Sequence, residues 1–306
     1  MSSDLTQSKQ PHVVVTGANG FIGTHAMHAL ANAGEYPVGL SRRPAPGLVH
    51  GFDLENPGNY AQVLKGAKAV VHCAARVHGK EDKATELADH MRTNRDGTAD
   101  LIAQAEAAGV SRFIFLSTVA VYGKTASDHV IALDDPLDLN TAYAKAKFEA
   151  EERLRQSDMQ RVVLRVPQVY GPHGPGLWRR MLKYCNSPYP LPFGFVGNRR
   201  SMMAVQNLAD LIRHCVVTPE VPELILATDQ VDIGTTQIAK ELRRAFGRQE
   251  RLIPAPLPLM KLGARLLRRP YLYDSYFGSL KFEHTPCGWE PPLTPSEALA
   301  LCGAKR

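Results

Sequence analysis

Tyr143 and Lys147 lie four positions apart in a segment, Thr-Ala-Tyr-Ala-Lys-Ala-Lys, that favours a helix. Residues with this spacing share one face of a helix, so the phenol and the ammonium point into the same space. A free tyrosine has a pKa of about 10, and a cation held beside it lowers that pKa because it stabilises the phenolate. Such a tyrosine suits acid–base catalysis of hydride transfer beside a bound dinucleotide. Taken alone, the pair indicates no more than a helix with one exposed lysine and one half-buried tyrosine.

A glycine-rich turn near the amino terminus supplies the dinucleotide site that this chemistry needs. His12–Thr16 is a β-branched run that predicts a strand, and residues 21–33, rich in Ala, Leu and Met, predict a helix. Gly17, Gly20 and Gly23 follow the strand with the spacing Gly-x-x-Gly-x-x-Gly, a variant of the common Gly-x-Gly-x-x-Gly form. Strand, glycine turn and helix in this order indicate a fingerprint whose helix amino terminus binds a pyrophosphate.

The end of the second predicted strand bears on the choice of cofactor. An enzyme that prefers NAD usually has an acidic residue here for the ribose hydroxyls, whereas a nearby arginine accommodates the extra phosphate of NADP. Ser41, Arg42 and Arg43 stand at this point, with no Asp or Glu. NADPH is therefore the predicted cofactor and NAD the alternative, because the arginines could also be a solvated loop pair. Asp53 and Leu54 are expected beside the adenine.

Strand-like and helical segments alternate to about residue 166, which predicts an α/β fold with a doubly wound parallel Rossmann sheet. Ligands of such sheets bind at the carboxyl ends of the strands, where Gly20, Ala74, Thr118 and Pro167 are expected. The predicted strands are His12–Thr16, Pro37–Ser41, Ala69–Cys73, Arg112–Ser117 and Arg161–Val166.

These motifs, found between Thr16 and about Pro292, resemble those of the extended short-chain dehydrogenases/reductases of the nucleotide-sugar epimerase/dehydratase/reductase group. The matching pieces are the glycine turn, Asp53-Leu54, residues 72–75, 94–98 and 116–123, the Tyr143/Lys147 pair, and residues 165–172. Residues 75–78, 191–194 and 198–201 resemble bacterial reductases of UDP-4-keto-6-deoxy-N-acetylhexosamines that serve lipopolysaccharide (O-antigen) synthesis. The resemblance implies NADPH-dependent reduction of such a 4-keto sugar; the alternative is a UDP-hexose or UDP-N-acetylhexosamine 4-epimerase with retained NAD.

The resemblance also implies catalytic roles. Thr118, four residues before Tyr122, takes the place of the catalytic Ser/Thr and would hydrogen-bond the reacting sugar oxygen, with Ser117 as a neighbour that could substitute for it. Tyr143 would donate or accept the proton. Lys147 would hold the nicotinamide ribose and lower the pKa of Tyr143. A non-catalytic dinucleotide sensor, or a structural partner in a glycan-assembly complex, would not need this set of side chains.

Other positions carry over as binding residues, and Asn94 would also order the helix beside the site. The expected cofactor contacts are Gly17, Asn19, Gly20, Phe21, Ile22, Gly23, Ser41, Arg42, Arg43, Asp53, Leu54, Ala74, Ala75, Asn94, Ser117, Tyr143, Lys147, Pro167 and Val169. The expected substrate contacts are His78, Thr118, Gln168 and Arg200, the last on the substrate diphosphate. Gln168 departs from the more common Asn, and residues 275–279 lack the Arg-x-Gly-Asp motif of the family, so nucleotide contacts there stay open.

Two domains are expected. Residues 1–170, with parts of 204–228, would form the dinucleotide-binding domain; residues 171–203 and 229–306 would form a smaller, discontinuous carboxyl-terminal substrate domain. By resemblance, a helix over residues 205–217 and a strand over 223–227 return to the main sheet. Residues 257–267 form an amphipathic stretch for which core packing is the expectation and a membrane-surface role the alternative.

Composition sets the remaining expectations for this chain of 306 residues. Its five cysteines are widely spaced, which indicates reduced thiols in the cytoplasm and no metal site. No apolar run approaches the roughly 20 residues of a membrane span, and no signal peptide is evident. The net charge of +6 comes with no nucleic-acid-binding module and suits an anionic cofactor and UDP-sugar. Helices around 85–108 and 141–155 resemble those that pair in family homodimers.

Overall fold

The structure is a computed structural model that describes residues 11–77, 85–268 and 270–304. A parallel β-sheet with helices on both faces forms its centre. The strands are β1 (His12–Thr16), β2 (Pro37–Ser41), β3 (Val49–His50), β4 (Ala67–His72), β5 (Arg112–Thr118), β6 (Val130–Ile131), β7 (Gln160–Val166), β8 (Gln168–Tyr170), β9 (Leu191–Gly194), β10 (Met202–Ala204), β11 (Leu224–Leu226), β12 (Leu252–Pro254) and β13 (Lys281–Phe282).

The α-helices range from four to 14 residues. They are α1 (Phe21–Asn32), α2 (Ala61–Leu64), α3 (Glu86–His90), α4 (Gly97–Ala107), α5 (Ala142–Arg155), α6 (Gly176–Cys185), α7 (Val205–Val217), α8 (Thr235–Ala245), α9 (Leu257–Leu266), α10 (Pro270–Phe277) and α11 (Pro295–Ala300). A π-helix over Met91–Asp96 joins α3 to α4, and 3₁₀ turns cover Val119–Tyr122 and Leu301–Gly303. In the described part of the chain, none of these helices combines the length and apolar character that crossing a membrane requires.

The main sheet has seven strands in the order β11-β7-β5-β4-β1-β2-β3, and every pairing is parallel. The predicted doubly wound α/β sheet is confirmed. The chain adds β2 and β3 on one side of β1 and then crosses to place β4 on the other. This reversal creates a switch point between β1 and β4, where open α/β sheets bind their ligands.

Successive residues of β1 pack on opposite faces of the sheet, as the two-residue period of a strand requires. Val13 belongs to the same buried cluster as Leu30 of α1 and Leu208 of α7. Val14 belongs to the cluster on the other face, with Leu154 of α5. Because both faces are covered, the three central residues of the strand, Val13 to Val15, are apolar and fully buried.

A third buried cluster lies among the smaller sheets. It gathers Trp178 and Met181 of α6, Met202 of β10 and Leu242 of α8. β8 pairs with β10, β9 with β12 and β6 with β13, so each small sheet joins segments that are distant in sequence. The two-domain division remains a prediction.

The amphipathic stretch of residues 257–267 is less buried than predicted. α9 forms at the predicted position, but none of its residues is buried, so the expectation of core packing is wrong. An amphipathic sequence predicts a helix with one apolar side, yet only its tertiary neighbours decide whether that side is covered. α7, in contrast, has the predicted bounds and buries one side against the sheet.

Candidate active site

The glycine turn follows β1 at the switch point. Gly17 has a φ of +65°, and a Cβ there would lie 2.9 Å from the backbone nitrogen of Ala74. A Cβ on Gly23 would lie 2.1 Å from the carbonyl oxygen of Gly17. Gly20 precedes α1 without a side-chain cap, so the first N–H groups of that helix remain available to an anion. This cradle, into which side chains would intrude, fits the pyrophosphate of a dinucleotide.

A buried histidine that sequence reasoning did not single out joins three elements below this cradle. His72 Nδ1 lies 2.7 Å from Thr16 Oγ1, and its Nε2 lies 3.1 Å from Thr98 Oγ1. Ala74 N also donates to Thr16 Oγ1, at 3.2 Å. Burial and the neighbouring charge of Lys147 hold the pKa of His72 well below its usual value. The neutral imidazole therefore fixes the ends of β1 and β4 against α4.

The end of β2 lies beside the glycine turn because Ala18 N donates to the carbonyl oxygen of Leu40, at 3.1 Å. Ser41 is buried, and its hydroxyl donates to the carbonyl oxygen of Arg43 at 2.7 Å. Arg42 and Arg43 are exposed, and neither forms an ion pair within the described ranges. Two guanidinium groups are thus available next to the turn.

The loop after β3 packs against the start of α4. Asp53 Oδ1 accepts a hydrogen bond from Glu55 N at 3.0 Å, which closes a tight turn. A Cβ on Gly97 would lie 2.2 Å from the carbonyl oxygen of Leu54. The sequence motifs around Asp53-Leu54 and Asn94–Gly97 therefore contact each other through their backbones.

Asn94 lies in the π-helix and is 1% exposed. Its Oδ1 accepts from Arg76 N at 2.8 Å, and its Nδ2 donates to the carbonyl oxygen of Arg76 at 2.7 Å. The side chain of Arg76 forms an ion pair with Glu55 at 2.6 Å. Asn94 thus ties down the segment that follows Ala75. π-Helical turns are frequent at functional sites, and no signal in the sequence predicted this one.

The three predicted catalytic residues come from β5 and α5, which pack together. Thr118 is the last residue of β5, and its Oγ1 accepts from Ala120 N at 3.1 Å. α5 begins after Thr141, whose hydroxyl caps it by accepting from Ala144 N at 3.1 Å. The half-buried ring of Tyr143 meets the edge of the His90 ring at a centroid distance of 5.8 Å.

Lys147 is 1% exposed, and its Nζ lies 3.9 Å from the centroid of the Phe115 ring. Desolvation lowers the pKa of Lys147 to about 7, although the neighbouring Glu151 and Cys73 act in the opposite direction. Desolvation also raises the pKa of Tyr143 to about 12. The expectation of a lowered tyrosine pKa is therefore wrong for the free chain, because burial outweighs any effect of the partly neutralised lysine.

Ser117 points to the other side of β5 from Thr118, as adjacent strand residues do. Its hydroxyl donates to Glu151, one helical turn beyond Lys147. Glu151 pairs with Arg165 of β7 at 2.8 Å, and Arg165 also donates to the Tyr122 hydroxyl at 2.9 Å. The Ser117 hydroxyl therefore cannot stand in for that of Thr118. Sequence reasoning missed this buried network, although the spacing of 143, 147 and 151 places all three on one helix face.

Two of the predicted substrate residues line one cavity. Gln168 of β8 and Arg200 share it with Trp178 and Tyr276. Arg200 Nη1 donates to backbone carbonyls, including that of Gly278 at 2.9 Å. Its Nε and Nη2 have no hydrogen-bond partner in the described part of the chain. Desolvation lowers the pKa of Arg200 to about 10, so it stays charged at neutral pH.

The segment that lacks the Arg-x-Gly-Asp motif, residues 275–279, is thus held by Arg200, and its Ser275 and Tyr276 line the cavity. Val169 follows Gln168 in β8, and Pro167 directly follows β7. His78 lies outside the described residues.

The chain is similar to known proteins in both sequence and fold. Residues 13–224 match the model of the NAD dependent epimerase/dehydratase family. A UDP-glucose 4-epimerase of Vibrio cholerae is 32% identical, over 93% of this chain and 92% of that protein. An N-acetyl-alpha-D-glucosaminyl-diphospho-ditrans,octacis-undecaprenol 4-epimerase of Escherichia coli O157:H7 is 27% identical, over 82% of this chain and 77% of that protein. The solved UDP-glucuronic acid 4-epimerase of Bacillus cereus with NAD has a TM-score of 0.74 at 18% identity, covering 95% of each chain, and shares the fold.

Proposed function

Because the chain belongs to the NAD-dependent epimerase/dehydratase family, we propose that it transfers hydride between a nicotinamide dinucleotide and carbon 4 of a UDP-sugar. The specific proposal is NADPH-dependent reduction of a UDP-4-keto-6-deoxy-N-acetylhexosamine in cell-surface polysaccharide synthesis. One observation carries the choice of reductase: Arg42 and Arg43 lie exposed beside the glycine turn, and the segment of residues 41–50 to which they belong contains no Asp or Glu that could receive a ribose hydroxyl. A one-way reduction uses NADPH as its natural donor and must release the oxidised cofactor after each turnover.

The residues of the site fit a bound dinucleotide. The glycine turn and the free amino end of α1 would hold its pyrophosphate, Arg42 its 2′-phosphate, and Lys147 its nicotinamide ribose. When bound, the nicotinamide supplies the hydride. The chain supplies the rest of the chemistry, which is orientation of the sugar and the handling of a proton.

Tyr143 would protonate the oxygen at carbon 4. Burial raises its pKa to about 12, so the hydroxyl keeps its proton at neutral pH and can donate it to an oxygen that gains negative charge. Thr118, partly exposed at the end of β5, would hydrogen-bond the same oxygen. The partly neutral Lys147 would become fully charged next to the anionic cofactor, and its charge would then favour loss of the Tyr143 proton.

The sugar nucleotide would occupy the cavity of Gln168 and Arg200. Arg200 has two donor nitrogens without partners in the described residues, and a guanidinium fork matches diphosphate oxygens.

We propose a homodimer that pairs through α3, α4 and α5, which light scattering can test. We also propose a cytoplasmic location, which suits five free thiols.

A 4-epimerase is the second candidate, favoured by the 32% identity to the UDP-glucose 4-epimerase of Vibrio cholerae. An epimerase oxidises carbon 4, lets the keto sugar turn over and returns the hydride to the other face. That cycle leaves no net redox change and uses a tightly retained cofactor, usually NAD.

Two assays separate the candidates. The first supplies UDP-N-acetylglucosamine without reductant and measures formation of the 4-epimer. The second supplies a UDP-4-keto-6-deoxy-N-acetylhexosamine with NADPH and follows NADPH absorbance, with Tyr143→Phe as the inactive control. Reductase activity predicts NADPH consumption in the second tube alone. Epimer in the first tube with no NADPH consumption in the second would establish the epimerase instead.

A further inference from the structure

An unpartnered apolar surface lies on α9. Leu259, Leu262, Leu266 and the following Leu267 are 69%, 54%, 76% and 74% exposed. The first three have the spacing i, i+3 and i+7, which places them in one stripe along the helix. Exposed leucines scattered singly are ordinary, but a contiguous stripe marks a surface that contacts something apolar.

Cations flank this stripe. Lys261, Arg265 and Arg268 are exposed, and none forms an ion pair with a carboxylate in the described ranges. Residues 251–273 contain five Lys or Arg and no Asp or Glu. The two acidic residues that flank this segment have other partners. Glu250 accepts from an arginine of α8 at 2.8 Å, and Asp274 accepts from a threonine hydroxyl at 3.0 Å. We call the four leucines and these three cations the α9 face.

The strand pair β9/β12 adjoins the start of α9 and carries two further exposed apolar side chains. Ala255, just before α9, donates to the carbonyl oxygen of Gly194 at 3.1 Å. Phe195, which follows Gly194 at the end of β9, is 87% exposed and has a φ of +57°. A bulky residue with positive φ is uncommon and costs energy, and in the free chain this ring gains almost no burial to offset that cost. Ile253 of β12 is also exposed, at 49%.

We propose that the α9 face docks on an anionic membrane surface, with α9 lying in the plane of the interface. A stripe of leucines flanked by Lys and Arg is the pattern of interfacial helices, which insert the apolar side at the level of the headgroups. The absence of acidic residues over residues 251–273 makes the charge complementary to anionic lipids. With ten residues, α9 is about 15 Å long and too short to span a bilayer.

A second copy of the chain is a poorer occupant of the α9 face. A twofold contact places the same patch of each subunit against itself. Lys261, Arg265 and Arg268 of one copy would then meet their own equivalents with no carboxylate between them. Anionic headgroups would instead neutralise all three.

Docking would bring the bilayer next to the helix that borders the substrate cavity. α9 contacts α10 through Lys261, whose Nζ lies 5.9 Å from the centroid of the Tyr273 ring. In α10, Ser275 and Tyr276 line the cavity with Arg200. The inference does not depend on the proposed reaction, since it concerns only the outer side of this helix pair.

Vesicle flotation of the full chain tests the proposal. We expect the protein to float with vesicles of mixed phosphatidylglycerol and phosphatidylcholine, to bind pure phosphatidylcholine far more weakly, and to lose binding as salt rises. Each neutralised cation should weaken binding about fivefold, so Lys261→Gln/Arg265→Gln/Arg268→Gln should weaken it on the order of a hundredfold. Leu259→Gln/Leu262→Gln/Leu266→Gln should abolish flotation.

Matched variants elsewhere on the surface provide the controls. Lys65→Gln/Lys183→Gln/Lys240→Gln removes three exposed cations that form no ion pair in the described ranges, and Tyr36→Gln/Val130→Gln/Leu301→Gln removes three exposed apolar groups. Both should float like the wild type, and all four variants should keep the wild-type melting temperature.

Three outcomes would overturn the proposal: no flotation with either vesicle, equal flotation with both, or equal losses in the controls. A concentration-dependent dimer in sedimentation that only the leucine variant abolishes, without vesicle binding, would assign the α9 face to a second copy instead.

Discussion

The glycine turn and the α9 face differ in what fixes each residue. In the turn, a single added Cβ on Gly23 would lie 2.1 Å from a carbonyl oxygen, so the backbone itself dictates the residue type. On α9, Leu266 is 76% exposed, and nothing in the described structure requires a leucine there. The first region is determined by contacts within the chain, whereas the second exposes its leucines in the free chain and is proposed to meet an external partner.

Charged residues show the same contrast. Lys147, Glu151 and Arg165 are almost fully buried and depend on one another or on nearby rings. Lys261 and Arg265 are exposed and have no carboxylate partner in the described residues. Substitutions around the glycine turn and α5 should therefore change stability or catalysis of the isolated protein, while substitutions on α9 should change neither.

Breaking the buried ion pair should have the largest effect. Glu151→Ala leaves Arg165 charged, buried and without its carboxylate, which should lower the free energy of unfolding by about 3–5 kcal/mol. The adjacent Glu152 pairs with Arg155 on the surface, so Glu152→Ala should cost no more than about 1 kcal/mol. Urea unfolding measures both. Equal losses in the two variants would contradict the contrast between buried and exposed charge.

Loss of the Tyr143 hydroxyl should be next in size. Tyr143→Phe keeps the ring but removes the transferable proton, so turnover should fall on the order of a hundredfold or more while cofactor binding stays near normal. Tyr184→Phe, on the exposed side of α6, is the control and should be fully active. Steady-state kinetics with the sugar substrate tests this, and a variant with only a few-fold loss would remove Tyr143 from the reaction.

Arg42 is an exposed cation beside the glycine turn, so its substitution should change the choice of cofactor and not stability. A charge-assisted contact with the 2′-phosphate predicts that Arg42→Ala weakens NADPH binding roughly ten- to a hundredfold and leaves NADH binding almost unchanged. Fluorescence titration with both cofactors measures this, with Arg92→Ala as a surface control. Equal weakening for both cofactors, or a wild-type preference for NADH, would argue for retained NAD.

Stability should depend on pH through Lys147. Its pKa is about 7 in the folded chain and 10.5 in the unfolded chain. Between these values the unfolded state binds more protons, so stability should rise with pH, by at most about 1.4 kcal/mol per pH unit. Below pH 7 both states are charged and this gain is absent; the raised pKa values of the cysteine thiols and of Tyr143 act in the opposite direction as pH approaches 9 and above. The free energy of unfolding of the wild type should therefore rise relative to that of Lys147→Met between pH 7 and 9, measured by urea unfolding, and parallel profiles would refute it.

The smallest effect is expected on α9. Leu266→Gln changes a side chain that is 76% exposed, so without membranes the free energy of unfolding should change by less than about 0.5 kcal/mol. The matched change in the core, Leu164→Gln, buries an amide in a strand and should cost several times more. A large loss for Leu266→Gln, measured by urea unfolding, would mean that α9 is covered in the free protein.

Local patterns were enough to predict the sheet. β1 and β2 have the predicted bounds, because short apolar runs between helical segments are typical of the buried strands of a parallel sheet. The glycines of the turn and the spacing of Tyr143 and Lys147 are likewise local, so the sequence was enough to place the turn between β1 and α1 and both side chains on α5. Contacts with a cofactor or sugar remain predictions.

Features that depend on distant neighbours could be seen only once the fold was known. The pairing of Glu151 with Arg165 joins α5 to β7, and the pKa of Tyr143 rises because surrounding elements bury it. The exposure of α9 also could not be predicted, since its sequence fits a covered helix as well as an open one. Periodicity specifies which side of an element is apolar, but burial, and with it every pKa and every free surface, is set by what the rest of the chain places against that side.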